Sequence, residues 1–168
     1  RVEIAKSLLN QPRILILDEP TTGLDPVSRM ETWGFLRELQ KETGLTIIFT
    51  THLMDEAEKS HRTLLLHQGK ALICGKPEEL KATLSGDVIS LKANDPHALK
   101  TQIEKRFSVS VKQVEDELRI EKKEGAQFIP PLVEAFPKQI QSITLGKPTL
   151  EDLFVHFTGE RFIQKGEA

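Results

Sequence analysis

Two carboxylates and a histidine stand out for their chemistry. Asp18 and Glu19 follow directly on the apolar run Ile14-Leu15-Ile16-Leu17, and His52 follows a second run, Leu45-Thr46-Ile47-Ile48-Phe49-Thr50. Adjacent acids near an imidazole make a phosphate-hydrolysis constellation, because phosphoryl transfer to water needs positioning and charge neutralisation more than covalent chemistry. One part of such a site is absent. No Gly-x-x-x-x-Gly-Lys-Ser/Thr loop occurs in the 168 residues, and that loop would supply the N–H cradle and lysine for the β- and γ-phosphates. Taken alone, Asp-Glu-Pro after a strand also suits a turn and helix cap, and a lone histidine suits a solvated surface.

The elements that must position these groups can be read from the pattern around them. Four branched apolar residues without alternation predict a strand buried on both faces, as in the middle of a parallel sheet. Ligands of open α/β sheets bind at the carboxyl ends of the strands. Two parallel strands ending at Asp18 and near His52 would deliver all three residues to one edge. Before the first strand, Val2 to Leu9 predicts a helix end with Ile4 and Leu8 on one face, broken at Asn10-Gln11-Pro12. Between the strands, Asp25 is an N-cap, Pro26 opens the helix, and Gly44 stops it after about Thr43. That helix is expected to bury Val27, Met30, Trp33, Leu36 and Leu39. The order is a βαβ unit. Arg62 to Leu66 and Lys70 to Cys74 then flank Gln68-Gly69 as a hairpin, and Pro77 starts a helix through Leu84.

Ile14 to Glu19 resembles the Walker B strand of an ABC-type ATPase, Thr22-Gly23-Leu24-Asp25 its D-loop, and His52 its switch histidine. Leu53 to Arg62 and Gly69 to Leu80 are similar to the downstream stretch of the same domains. The resemblance covers about residues 1–84, with its motifs in order and spacing. It implies an α/β fold, part of a P-loop NTPase parallel-sheet domain, with ATP and Mg²⁺ as cofactors. It assigns catalytic roles to Glu19, as general base, and to His52, near the γ-phosphate. Asp18 would hold Mg²⁺ through water, and Gly23 and Asp25 would serve nucleotide binding, with Asp25 against an opposing subunit. The glutamine loop and the Leu-Ser-Gly-Gly signature are absent, so the chain looks like the C-terminal part of a longer protein, cut just after its signature.

Beyond Ser85-Gly86 the pattern resets. Val88, Ile89 and Leu91 predict a strand, and Asp95-Pro96 opens a helix carrying Leu99, Ile103 and Phe107. Val109, Val111 and Leu118, Ile120 alternate on either side of Glu115-Asp116, which predicts a second hairpin. Phe128, Ile129, Leu132, Val133 and Phe136 follow Gly125 as a helix, whose Pro130-Pro131 are expected near its first turn. Gln139 to Leu145 is a further strand. The βαββαβ order predicts a small ferredoxin-like α+β domain over 85–168, after an ATPase portion over 1–84. Thr149 and Asp152 form a capping-box pattern before a last helix ending at Gly159, whose Leu153, Phe154 and Phe157 read as packing. Pro148 to Gly159 resembles the ending of ATP-binding subunits of ABC-2-type exporters.

Composition sets outer bounds. Hydrophobic residues make up 38% and charged residues 29%, ordinary for a globular chain. Formal charge is −2, with 11 basic and 12 acidic residues in 1–84 and 12 and 13 in 85–168, so no basic block marks a nucleic-acid footprint. Apolar runs fall short of the about 20 residues that span a membrane. Cys74, the single cysteine, reads as a small buried hydrophobe, and His61, His67, His97 and His156 lack ligand spacing. The resemblance thus implies an ATP-hydrolysing exporter subunit at the cytoplasmic face of the membrane, paired with a second ATPase subunit and a membrane permease. In that reading the chain is inactive alone, contacts no nucleic acid directly and has no transmembrane segment of its own. Two alternatives remain open: a soluble ABC ATPase acting on nucleic acid or ribosomes, and a non-enzymatic regulatory or dimerisation module in 85–168.

Overall fold

The computed structural model describes residues 2–160, which divide into two compact units between His52 and Leu53. In the first unit, α1 (Val2–Leu8) precedes β1 (Ile14–Asp18), α2 (Pro26–Thr43) and β2 (Thr46–Thr50). The two strands are parallel, in a register that sets Ile14 against Thr46 and Asp18 against Thr50. Asp25 caps α2 by accepting N–H bonds from Val27 and Ser28, both 3.0 Å, and Gly44 closes it in the left-handed region. Ile4, Leu15, Leu17, Leu36 and Leu45 form the core, flanked by Trp33 and Phe49 with ring centroids 4.5 Å apart.

Burial here departs from the sequence-based expectation in two places. Leu15 and Leu17 are buried, but Ile14 is 56% exposed, Ile16 74% and Ile48 52%. An unbroken apolar run permits coverage of both faces without enforcing it, and only one face of β1 is covered. In α2, Thr32 and Leu36 are buried, whereas Val27 and Met30 are exposed. Positions 27, 30, 33, 36 and 39 form a strict three-residue ladder, which drifts by about 60° per step around a helix of 3.6 residues per turn. Val27 therefore lies about two and a half turns from Leu36, on the opposite side.

The second unit opens with α3 (Met54–Ala57) and the antiparallel hairpin of β3 (Thr63–His67) and β4 (Lys70–Gly75). Gln68 (φ 48°) and Gly69 (φ 74°) make its two-residue turn, whose left-handed backbone at both positions suits Gly. Cys74 is exposed, not buried: it pairs with the outward Leu64, and Arg62 donates to its Sγ at 3.9 Å. After α4 (Pro77–Lys81) come β5 (Asp87–Ala93), α5 (Pro96–Phe107), β6 (Val111–Val114), β7 (Glu117–Lys122), α6 (Gly125–Ala135), β8 (Ile140–Gly146) and α7 (Leu150–Thr158). The four strands pair antiparallel in the order β6-β7-β5-β8, the ferredoxin-like arrangement that βαββαβ predicts. Ile89, Leu91, Leu99, Ile103, Leu118, Ile120, Phe128 and Leu132 share its core.

Pro130 and Pro131 lie inside α6, not at its first turn. Each removes an N–H that a carbonyl four residues back would accept. Both prolines, with Ala126 and Gln127 four residues before them, are exposed, so the freed carbonyls meet water while Phe128 and Leu132 hold the buried face.

The capping box of α7 forms as its sequence predicts, with Thr149 and Asp152 bonded reciprocally. Leu150 and Leu153, both fully buried, pack with Leu65, Leu80 and Leu84, while Phe154 is buried and Phe157 is 45% exposed. Glu58 accepts from Leu150 N at 3.0 Å and from Lys81 Nζ at 3.3 Å. Arg119 of β7 reaches Asp152 at 2.9 Å, Glu151 at 3.2 Å and Glu117 at 3.3 Å. The leucine cluster and Glu58 bind residues 53–84 to α7, and Arg119 binds α7 to β7. The compact division thus falls at His52/Leu53, whereas the sequence pattern resets near Ser85: the pattern follows local punctuation and resemblance, and compactness follows the apolar contacts.

Candidate functional site

The site lies at the carboxyl ends of β1 and β2, wholly within the first unit. Because these strands are parallel and Asp18 pairs with Thr50, both last residues reach the same edge. Thr50 Oγ1 donates to Asp18 Oδ1 and accepts the backbone N–H of Glu19 at 3.0 Å. Glu19 has left the ladder with φ 43°, a left-handed conformation that costs a residue with a Cβ about 1–3 kcal/mol. Its carbonyl accepts from Thr22 N at 3.1 Å and its Oε2 from Thr22 Oγ1 at 3.0 Å. Its other oxygen, Oε1, lies 3.3 Å from His52 Nδ1.

The structure thus brings Asp18, Glu19 and His52 together. The Glu19 side chain is 46% exposed and that of His52 23%, and a polar contact this open is worth about 0–1 kcal/mol. Its consequence is therefore orientation more than stability. With both oxygens engaged, the Glu19 carboxylate is fixed in space yet open to water.

Gly23 and Asp25 occupy the loop that follows. Gly23 has φ 77° and open space where a Cβ would stand, so its backbone, not crowding, selects glycine. Asp25 serves α2 as its cap. The Ser28 hydroxyl, then the Ser28 and Val27 N–H groups, hold its carboxyl below the ordinary aspartate range. Neither residue touches Asp18, Glu19 or His52 in the hydrogen bonds of the site, so the geometry gives both a local conformational role.

Among the described residues no group of three or more His, Cys, Asp or Glu side chains converges as a metal cage. A hydrated Mg²⁺ needs none, since it keeps several waters and takes one or two carboxylates plus phosphate oxygens. Asp18, an exposed hard-oxygen donor oriented by Thr50, fits that use. The donor set therefore suits the hydrolytic edge of a nucleotide site and includes no phosphate cradle of its own.

In the sequence Thr22 belongs to the D-loop-like run and Thr50 closes the second apolar run, and neither pattern assigns its hydroxyl a part in the site. Thr50 is visible only once the register is known, because its relation to Asp18 crosses 32 residues. The one available signal was a hydroxyl residue closing the second apolar run.

No family model matches the sequence. Among curated proteins, it is 43% identical over 105 residues to the Nod factor export ATP-binding protein I of Rhizobium etli, covering 61% of this chain and 33% of that protein. It is 45% identical over 87 residues to the probable multidrug ABC transporter ATP-binding protein YbhF of Escherichia coli, covering 52% and 15%. To the daunorubicin resistance ATP-binding protein DrrA3 of Streptomyces coeruleorubidus it is 30% identical over 167 residues, covering 95% of this chain and 52% of that protein. The chain spans at most about half the length of these curated relatives, 15% to 52%.

Proposed function

We propose, from the premise that this chain belongs to the ATP-binding subunits of ABC transporters, that the full-length protein hydrolyses ATP with Mg²⁺ to power a separate permease of ABC-2 exporter type. The observation that carries the reading is Glu19, held at the end of β1 with Oε2 on Thr22 and Oε1 facing His52. The likeness to the Nod factor export ATP-binding protein I, 43% identical over 105 residues, favours the exporter class over other ABC ATPases. Balanced charge in both halves of the sequence argues against a nucleic-acid partner.

In this reading Glu19 accepts a proton from the attacking water, and Thr22 and His52 keep its carboxylate aimed. His52, with Nδ1 toward Glu19, keeps its second ring nitrogen for a phosphate oxygen. Asp18 would hold Mg²⁺ through water, and that ion would supply charge neutralisation on the phosphates. The phosphate loop and signature come from sequence outside these 168 residues, and a second ATPase subunit completes a paired site against Gly23 and Asp25. Residues 1–84 then form part of the nucleotide-binding domain and 85–168 an accessory domain. Among the described residues no helix is long and apolar enough to cross a membrane, and crossing is assigned to the permease, with this subunit at its cytoplasmic face.

The test is Glu19→Gln in the full-length subunit, where the amide keeps shape and hydrogen bonding but is no base. Turnover is expected to fall roughly 10²- to 10⁴-fold with ATP binding retained, and the 168-residue chain assayed alone to give background hydrolysis. Hydrolysis within a few-fold of wild type in the variant would remove Glu19 as the base. Turnover by the isolated chain would show the missing cradle to be dispensable.

A further inference from the structure

Thr50 does two things at the site that its place in the sheet does not require. As the last residue of β2 it is exposed, so burial does not explain a threonine there, and valine would satisfy the strand equally well. Its one hydroxyl nevertheless links both acids, donating to the carboxylate of Asp18 and accepting the N–H of Glu19 at 3.0 Å. The ladder ends at the Asp18–Thr50 pair, so the Glu19 N–H lies past the last strand pairing. It is there that the chain turns into the left-handed region, at φ 43°, and swings the Glu19 side chain toward Thr22 and His52.

We propose that Thr50 is a positioning residue for ATP hydrolysis: its hydroxyl couples the orientation of the Asp18 carboxylate to the backbone turn that aims Glu19. The inference rests on the ATPase reading above. The hydroxyl proton goes to Asp18 and the oxygen lone pair accepts from Glu19 N, so only a group with both functions can remake both bonds. Asp18 accepting this bond has a fixed carboxylate plane, which is what a water-mediated cation partner needs. Glu19 held by its own N–H can present its carboxylate without support from burial.

Thr50→Val removes both bonds while keeping shape, and Thr50→Ser keeps both. In the full-length subunit, partners of this outer kind commonly carry 10- to 100-fold effects, so Thr50→Val is expected to lower kcat by about that factor, with KM for ATP within about two-fold. Mn²⁺ binding, read by electron paramagnetic resonance with a non-hydrolysable ATP analogue, should weaken about ten-fold in the same variant, and Thr50→Ser should recover both within about three-fold. The inference is overturned if Thr50→Val matches wild type in turnover and Mn²⁺ affinity. It is equally overturned if Thr50→Ser is as defective as Thr50→Val, since the hydroxyl would then be irrelevant. A wild-type subunit that hydrolyses no ATP sinks the ATPase reading and this inference with it; an active wild type beside an unaffected Thr50→Val sinks this inference alone.

Discussion

Removing residues 53–84 is expected to weaken the four-stranded sheet domain without unfolding it. Leu150 and Leu153 of α7, both 0% exposed, owe part of their burial to Leu65, Leu80 and Leu84. Full burial of a leucine is worth about 1.5–3 kcal/mol, so the pair stands to lose about 3–6 kcal/mol as an upper bound. The Leu150 N–H bond to Glu58 adds about 1 kcal/mol. Against this, the core of Ile89, Leu91, Leu99, Ile103, Leu118, Ile120 and Leu132 contains no residue of 53–84. Arg119 and the Thr149–Asp152 box still hold the start of α7. Small domains have about 5–15 kcal/mol in all, so the loss is large but survivable. Urea unfolding of polypeptides 53–168 and 85–168, followed by circular dichroism, measures it. A cooperative transition for both is expected, with 85–168 lower by a few kcal/mol and by no more than about 7 kcal/mol on linear extrapolation. Agreement within about 1 kcal/mol would show that α7 gains nothing from the hairpin, refuting the apolar contact as the reason for the compact division. Absence of any transition in 85–168 would refute the autonomy of the sheet core.

Two further outcomes are expected. Asp25, bonded by the Ser28 hydroxyl first, and Asp87, paired with Lys147 and then with Gly125 N, both titrate below the ordinary aspartate range. Their stabilisation is therefore complete above the unfolded value of about 3.9 and is lost as pH falls through the lower folded values. Asp25→Asn, which keeps an acceptor for the cap, should flatten that acid limb in melts from about pH 5 to 2; an unchanged limb would remove Asp25 from the account. The exposed Ile14, Ile16 and Ile48 should make the isolated chain self-associate, and Ile16→Lys should reduce this in sedimentation velocity. A wild-type chain that sediments as a monomer at every concentration would count against the apolar face as a driver of association.

What was legible in the sequence was punctuated locally. Asp25-Pro26 and Gly44 bound α2, Asp95-Pro96 opens α5, and Thr149, Asp152 and Gly159 bound α7, each through bonds a few residues long. The ferredoxin-like order followed from such signals. What was not legible depends on partners distant in the chain. The link between Thr50 and Asp18 needs a register, the exposure of Ile14 and Ile16 needs knowledge of what covers each face, and the outward Cys74 needs its pairing with Leu64. Val27 and Met30 are exposed for a different reason: three-residue steps along a 3.6-residue turn carry them away from the side that Leu36 buries. At the site, the carboxylates and histidine were readable by type and spacing, whereas the threonines that orient them are too common after strands to signal anything alone.

Glu19 stands on backbone that glycine or asparagine would occupy with less strain. If Glu19 is the base proposed above, fold and chemistry ask for different residues at one position. A laboratory selection that rewards heat resistance alone would be drawn to this codon, and would enrich survivors whose turn has relaxed and whose carboxylate is gone. The same bias would act on any gene copy released from the demand for turnover. Loss of the acid would there be a downhill step, and its return would have to climb back into the strained turn.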